Sequence, residues 1–203
     1  MCGRYRIDDG SDSLELHELI EQANRRSGGR PVKSSGEIFP ADTVPVLATD
    51  RRLCPGGFAM RWGYALEAGR RVINARSETA QRVPMFREGM LRHRCAVPAT
   101  NYYEWERVGG KRVKYAIRPS EGDVFYMAGI YRFESEGPAF SILTRDPAES
   151  IAFIHDRMPV ILPPELVKEW IDPRCGAGEM LTHAVLSVTH ESQAHGEQLS
   201  MRL

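Results

Sequence analysis

From residue 44 to residue 144 the chain falls into short apolar runs cut by glycine and proline, the pattern of a meandering β-structure. Strand-sized runs lie at 44–49, 58–64, Asn101–Val108, 111–118, 124–133 and 139–144. Gly109-Gly110 joins two of them, and a two-residue glycine connection signals a tight hairpin because both positions can take positive φ. In the second strand of that pair Val113, Tyr115 and Ile117 alternate with polar or small neighbours, so one face is expected to be buried. Another strand pair is expected to turn around Glu136-Gly137-Pro138. Helices occupy the margins. Residues 13–26 place Leu16, Leu19, Ile20 and Ala23 on one face, with Ser11 or Asp12 as the expected cap and Gly28-Gly29 as the stop. Ser77 is expected to cap a helix to about Gln81 that Pro84 ends, and short helices at 147–153 and 164–171 each carry proline near the start. A last strand is expected at 185–188. The fold class is therefore α+β with a β-rich, mainly antiparallel core.

No proline-, glycine- or serine-rich tract divides the 203 residues, so one domain spanning 1–203 is expected. Apolar residues at 42% and charged residues at 27% fit a soluble globular protein. No apolar run is long enough to span a bilayer and no secretory segment opens the chain, which predicts a cytoplasmic protein without a membrane partner. Lys+Arg and Asp+Glu both number 27. A net charge of zero argues against indiscriminate coating of nucleic acid, because phosphate neutralisation supplies most non-specific affinity. A local basic groove remains open, since Arg51-Arg52, Arg61, Arg70-Arg71, Arg76 and Arg92/Arg94 cluster; a solvated surface explains them equally well. Cys2, Cys54, Cys95 and Cys175 form no C-x-x-C pair, so neither a zinc site nor a disulfide framework is expected, and Cys95 reads as a buried small hydrophobe. His183, His190 and His195 read as surface histidines rather than metal ligands. No metal and no cofactor is called for.

The chemistry begins at Cys2, directly behind Met1. Removal of Met1 leaves an α-amine and a thiol on adjacent carbons, a group no internal residue possesses. The amine can condense with an aldehyde to an imine, and the thiol can then close on the same carbon as a thiazolidine, an intramolecular step that avoids most of the entropy of encounter. The neighbouring α-ammonium is expected to lower the thiol pKa and raise its thiolate fraction. Four further islands put polar groups in strand-like sequence. Asn74 and Arg76 end an apolar run, as an ordinary turn amide and surface charge or as ligands for a carbonyl oxygen and a phosphate. Glu104 sits within Tyr102-Tyr103-Glu104-Trp105, either on a solvated strand face or desolvated, with a raised pKa suited to general acid work. His155, in His155-Asp156-Arg157-Met158-Pro159, reads as a proton shuttle or as a helix C-cap. Trp62, in Arg61-Trp62-Gly63, reads as core or as a platform on which a base stacks.

Taken in order, Met1-Cys2-Gly3-Arg4-Tyr5, Phe39-Pro40-Ala41, Arg61-Trp62-Gly63, Asn74-Ala75-Arg76-Ser77-Glu78-Thr79, Arg94-Cys95-Ala96-Val97-Pro98-Ala99, Tyr103-Glu104-Trp105, Ala128-Gly129-Ile130-Tyr131 and His155-Asp156-Arg157-Met158-Pro159 resemble the SOS-response-associated peptidase (SRAP) family, also described as abasic-site processing proteins. The resemblance runs from Cys2 to about Asp172. It implies a barrel-like β core with peripheral helices, acting as a monomer on single-stranded DNA that contains abasic sites. By the same resemblance Cys2 is the nucleophile, whose amine forms a Schiff base with the C1′ aldehyde of the ring-opened sugar and whose thiol closes a stable DNA–protein crosslink. Asn74 is implied to orient the sugar oxygen or the Cys2 amine, Glu104 to move protons, and His155 to act as a second acid/base. Arg4 and Arg76 match positions that contact the flanking phosphates, Trp62 with Gly63 a DNA-facing element, and Pro40 a wall of the pocket. The sequence departs from the family at Tyr64-Ala65-Leu66-Glu67, where an apolar–proline continuation is usual, and over residues 173–203. Two rival readings use the same residues: an N-terminal-nucleophile cysteine hydrolase with Cys2 attacking amides, and a single-strand-binding module without covalent chemistry.

Overall fold

Four of the apolar runs close on one another together with a fifth strand, Arg94–Ala99. The computed structural model describes residues 2–8 and 13–193. In it Thr43–Thr49 pairs with Pro55–Trp62 on one side and with Arg94–Ala99 on the other. Arg94–Ala99 pairs with Phe125–Glu134, which pairs in turn with Gly137–Arg145. Gly137–Arg145 then meets Pro55–Trp62 and completes a barrel. Every pairing around it is antiparallel except this closing seam, which is parallel with Ala139 opposite Arg61 and Phe140 opposite Trp62. Closure leaves no open edge in the ring, removing the main hazard of an all-strand core.

Both faces of this barrel are covered. Val44, Val46, Met60, Cys95, Val97, Met127, Phe140 and Ile142 share one apolar cluster, while Leu47, Ala96, Ala128, Ile130, Ala139 and Leu143 pack into another with Phe86, Met90 and Trp170 from the flanking helices. That arrangement explains why Arg94–Ala99, buried at every position, shows no alternation in the sequence and was not among the expected strands. Trp170 Nε1–H donates to Cys95 O at 2.9 Å. Arg94, read from the sequence as part of a basic cluster, is instead buried with its guanidinium donating to the carbonyls of Met90, Trp170, Asp172 and Cys175, so it ties the segment after the barrel to the core.

A second sheet grows from the barrel at Thr100. There the chain bends and continues as Asn101–Val108, with the Thr100 amide and hydroxyl both donating to Arg6 O at 2.8 and 3.2 Å. The sheet order runs Gly36–Ile38, Tyr5–Ile7, Asn101–Val108, Lys111–Pro119 and Val188–Ser192, all antiparallel. Gly109 and Gly110 have φ of 55° and 82°, as the expected tight hairpin requires.

The helix Leu14–Arg26 packs on Pro55–Trp62 through Gly57, whose amide donates to Gln22 Oε1 at 2.8 Å and whose carbonyl accepts from Arg26 at 3.0 Å. Several expectations need correction. Ser11 and Asp12 lie outside the described residues, and the observed cap is Ser13, whose Oγ accepts from Leu16 N–H at 3.2 Å. The run 58–64 is two strands, because Gly63 at φ 100° breaks it. Ser77 is the first residue of Ser77–Ala80 and makes no cap bond, while Pro84 begins the helix Pro84–Arg92 at the position where its missing N–H is harmless. Residues 147–153 hold only a turn of 3₁₀ helix, Glu149–Ile151. The final strand is Val188–Ser192, shifted along to pair with Lys111–Pro119. No described helix is long and apolar enough to cross a membrane.

A Cβ on Gly57 would stand 2.1 Å from Leu19 O. Gly57→Ala is therefore expected to push the helix off the barrel and cost about 2–3 kcal/mol, read as a lowered urea midpoint at unchanged slope.

Candidate active site at the N-terminus

The short strand Tyr5–Ile7 is held on both sides, with Tyr5 opposite Ile38 and Tyr102, and this draws the residues before it into the interior. Tyr103 N–H donates to Arg4 O at 2.9 Å. Cys2 is fully buried, its thiol 3.9 Å from Arg4 O. Asn74 approaches from Asn74–Arg76, a strand that runs parallel to Gly137–Arg145, and its Nδ2 donates to Cys2 O at 2.9 Å. The Asn74 Oδ1 is shielded from solvent and has no hydrogen-bond partner among the described residues. Tyr5 and Tyr102 lie opposite each other in register, and their buried hydroxyls likewise find no partner among the described residues. Burial raises both phenols, with the nearby Cys2 adding to it.

Glu104 comes from the neighbouring strand Asn101–Val108 and is only 3% exposed, which settles the choice between its two sequence readings in favour of the desolvated one. Burial lifts its carboxyl above the ordinary range, and the facing His155 acts in the opposite direction. The sequence expectation for the Cys2 thiol concerns the free α-amine left once Met1 is removed; with Met1 in place the thiol is displaced upward. Burial, reinforced by Glu104, raises it well above an ordinary cysteine, so the thiol form is favoured over the thiolate.

His155 follows the 3₁₀ turn Glu149–Ile151 and faces Glu104 across a surface cleft of about 560 Å³ lined also by Gly3, Arg4, Trp105, Arg107 and Arg112. Its Nδ1 lies 3.0 Å from the Arg157 N–H and 2.7 Å from Asp156 Oδ1. A nitrogen that accepts from an amide cannot also donate to a carboxylate. The two contacts therefore belong to two placements of the ring hydrogen: a bare Nδ1 accepts from the Arg157 amide, and Nδ1–H donates to Asp156. Such a side chain can exchange a proton without moving.

The residues matched to DNA contact divide. Arg4 lies over the rings of Phe39 at 4.3 Å and Trp105 at 5.2 Å, and Arg112 lies over Trp105 at 5.2 Å, so cations and aromatics alternate across the mouth of the cleft. Arg4 and Lys114 share one carboxylate, Glu37, which leaves a positive charge uncompensated. Arg76 is exposed beyond Asn74. Pro40 is exposed in a turn of 39–42 closed by the Asp42 amide on Phe39 O at 3.1 Å, with Ala41 at φ 75°. Trp62 is not available to a base. It is fully buried, packed edge-on against Tyr5 at 5.1 Å and stacked on Phe140, with Nε1–H bonded to Ile73 O. Gly63 is required by packing, since a Cβ there would meet Ile73 and Arg71 at about 3 Å. Trp62 and Gly63 thus support the strand that carries Asn74. Sequence reasoning missed Arg107, Arg112, Phe39 and Trp105 as a surface; the signal was the pairing of Arg107 with Arg112 across the Gly109-Gly110 hairpin. It also missed Arg157, a buried hub bonded to Glu78, Asp146 and Thr144 O, which fixes the backbone beside His155.

Comparisons with known proteins agree with this arrangement. The family profile described as SOS response associated peptidase (SRAP) matches residues 1–202. Among curated relatives, the abasic site processing protein YoaM of Bacillus subtilis is 30% identical over 197 residues, covering 92% of this chain and 86% of YoaM. The abasic site processing protein YedK of Escherichia coli is 33% identical over 178 residues, covering 84% of this chain and 79% of YedK. Among solved structures, a Bacteroides thetaiotaomicron protein superposes with a TM-score of 0.73 at 22% identity, covering 94% of this chain and 91% of its own, which shows the shared fold. A phage-related protein of Bordetella bronchiseptica gives 0.72 at 25% identity, covering 94% and 93%.

The raised Glu104 carboxyl carries a stability signature. Its neutral form is favoured by the fold, so its stabilising contribution is present below the ordinary value of 4.5 and is lost as pH rises through the higher folded value. Glu104→Gln, neutral throughout, is expected to exceed the wild type in Tm at pH 8 and to converge with it towards pH 4.5, in melting curves recorded across that range.

Proposed function

The chain belongs to the SOS response associated peptidase family, and from that premise we propose that it processes abasic sites in DNA by trapping their aldehyde on Cys2. The single observation that carries the reading is a chain of neighbours from four distant parts of the sequence: Asn74 bonds the carbonyl of buried Cys2, Cys2 lies close enough to Glu104 to be raised by it, and Glu104 lines one cationic cleft with His155. The relatives' shared designation as abasic site processing proteins supports the same substrate.

The reaction requires hydrolysis of the Met1–Cys2 bond, which frees the α-amine. The amine adds to C1′ of the ring-opened sugar and gives a carbinolamine. Glu104, whose carboxyl burial raises above the ordinary range, donates a proton to the hydroxyl that leaves as water, and a protonated Schiff base remains. The Glu104 carboxylate so formed takes the proton from the Cys2 thiol, whose own pKa is too high for spontaneous ionisation. Sulfur then attacks C1′, the electron pair of the C=N bond passes to nitrogen and neutralises it, and the thiazolidine closes with loss of one water overall. Closure also matters for the DNA. An imine at C1′ acidifies the C2′ proton and invites elimination of the 3′ phosphate, and the thiazolidine withdraws the imine before the strand breaks. A slower lyase activity follows where closure fails. Asn74 holds the Cys2 carbonyl with Nδ2 and offers Oδ1 to the amine or a sugar hydroxyl. His155 exchanges the second proton, including in reversal.

Single-stranded DNA fits the cleft because its lesion needs no extrusion from a duplex. Arg4, flanked by Phe39 and Trp105, and exposed Arg76 contact phosphates on either side, with Pro40 as a wall. The protein works as a cytoplasmic monomer that joins the nucleoid when bound. Removal of Met1 by the chain itself is the one peptidase step in this scheme.

Wild-type protein whose intact mass shows loss of Met1 is expected to form a heat-stable shifted band with a uracil-containing single strand pretreated with uracil glycosylase. Cys2→Ala is expected to lose that band and keep most single-strand binding, and Cys2→Ser to give only a borohydride-trappable adduct. An undiminished band in Cys2→Ala would assign the chemistry to another nucleophile. Arg76→Ala is expected to weaken binding and lower the log–log salt slope by about 0.7, the value for one single-strand phosphate; an unchanged slope removes Arg76 from the DNA path.

A further inference from the structure

We infer that a second cleft, built around Arg145, binds one backbone phosphate of the DNA strand beyond the lesion. The inference rests on the function proposed above and extends it to residues with no role in the trapping reaction.

The cleft has a volume of about 680 Å³ and is lined by Ser77, Glu78, Gln81, Arg82, Arg145 and Asp146, with helix Ala177–Thr182 along one side. It starts at Ser77, the residue after Arg76, and Arg145 follows Thr144, the register partner of Arg76. With strands about 4.8 Å apart and a rise of about 3.3 Å per residue, the Arg76 and Arg145 Cα atoms are about 6 Å apart. A strand passing Asn74 and Arg76 therefore reaches this cleft next.

The charges within it do not balance. Arg157 engages both carboxylates, Glu78 through two bonds of 2.8 and 2.9 Å and Asp146 through one of 2.6 Å. Arg82 adds a cation at the exposed rim. Arg145 is half-buried, and its Nε and one terminal nitrogen are shielded from water with no hydrogen-bond partner among the described residues. Shielded guanidinium donors without acceptors are unfavourable, and the acceptor whose geometry matches that fork is a phosphate or carboxylate. Free phosphate would satisfy the donors equally, but only a phosphodiester is delivered by the neighbouring Arg76. The Glu78–Arg157–Asp146 bridge ties the cleft walls together, and the Arg157 guanidinium offsets part of the negative charge of the two carboxylates that line them.

The test is a methylphosphonate scan, in which each linkage of a lesion-containing single strand is neutralised in turn and affinity is measured for wild type and Arg145→Ala. Wild type is expected to lose affinity at one linkage beyond that assigned to Arg76, and Arg145→Ala to be insensitive there alone. The variant's salt slope should also fall by about 0.7, so that raising salt from about 50 to 200 mM weakens wild type about 2.6-fold more than the variant. Arg145→Lys should restore the slope, because a point charge still releases the counterion. If Arg145→Ala responds to every neutral linkage as wild type does, the phosphate site is refuted while the crosslinking assay on the same samples still reads the trapping reaction. If wild type forms no crosslink, the function proposed above falls as well. Competition by free phosphate with no linkage effect would also refute the DNA assignment. Crosslinking at saturating DNA is expected to be unchanged in Arg145→Ala, which distinguishes a lost contact from a damaged site.

Discussion

The site depends on a three-residue strand, Tyr5–Ile7, that is gripped on both sides. A chain end is ordinarily the most mobile part of a domain, because few contacts repay the entropy of ordering it. Here the ladder to Gly36–Ile38 and Asn101–Val108 orders residues 5–7, Asn74 fixes the Cys2 carbonyl, and Cys2 lies in the core.

Burial then sets the chemistry. Cys2 and Glu104 are both driven towards their neutral forms, so neither is an open nucleophile or base at rest. His155, with one nitrogen poised between an amide donor and a carboxylate, adds a group that holds its place for either placement of the ring hydrogen. The same burial makes Glu104 a source of instability at neutral pH, a local conflict expected at a working site.

A zero net charge conceals a division of labour among the arginines. Arg94 binds carbonyls inside the fold, Arg157 binds Glu78 and Asp146, and Arg61 binds Glu136, so these act as structural cross-ties. Arg76, Arg107 and Arg112 are left on or near the cleft, and Arg145 beside it. The local field, rather than the total, decides whether a phosphate chain is attracted.

The sequence by itself determined the strand-rich class, the hairpin at Gly109-Gly110 and the amphipathic helix over 13–26, because turn chemistry and periodicity are local properties. It left Glu104, Trp62 and the arginines undecided, since strand alternation cannot reveal which face a second sheet covers. Arg94–Ala99 shows the limit plainly: a strand buried on both sides carries no periodic signal. Only the tertiary structure decided that Trp62 is core, that Glu104 is desolvated, that burial raises the Cys2 thiol, and that Arg145 stands beside Arg76. Each of those outcomes is set by what packs against a residue from far along the chain. Burial and electrostatic environment are properties of that packing, and the strand carrying a residue does not contain them.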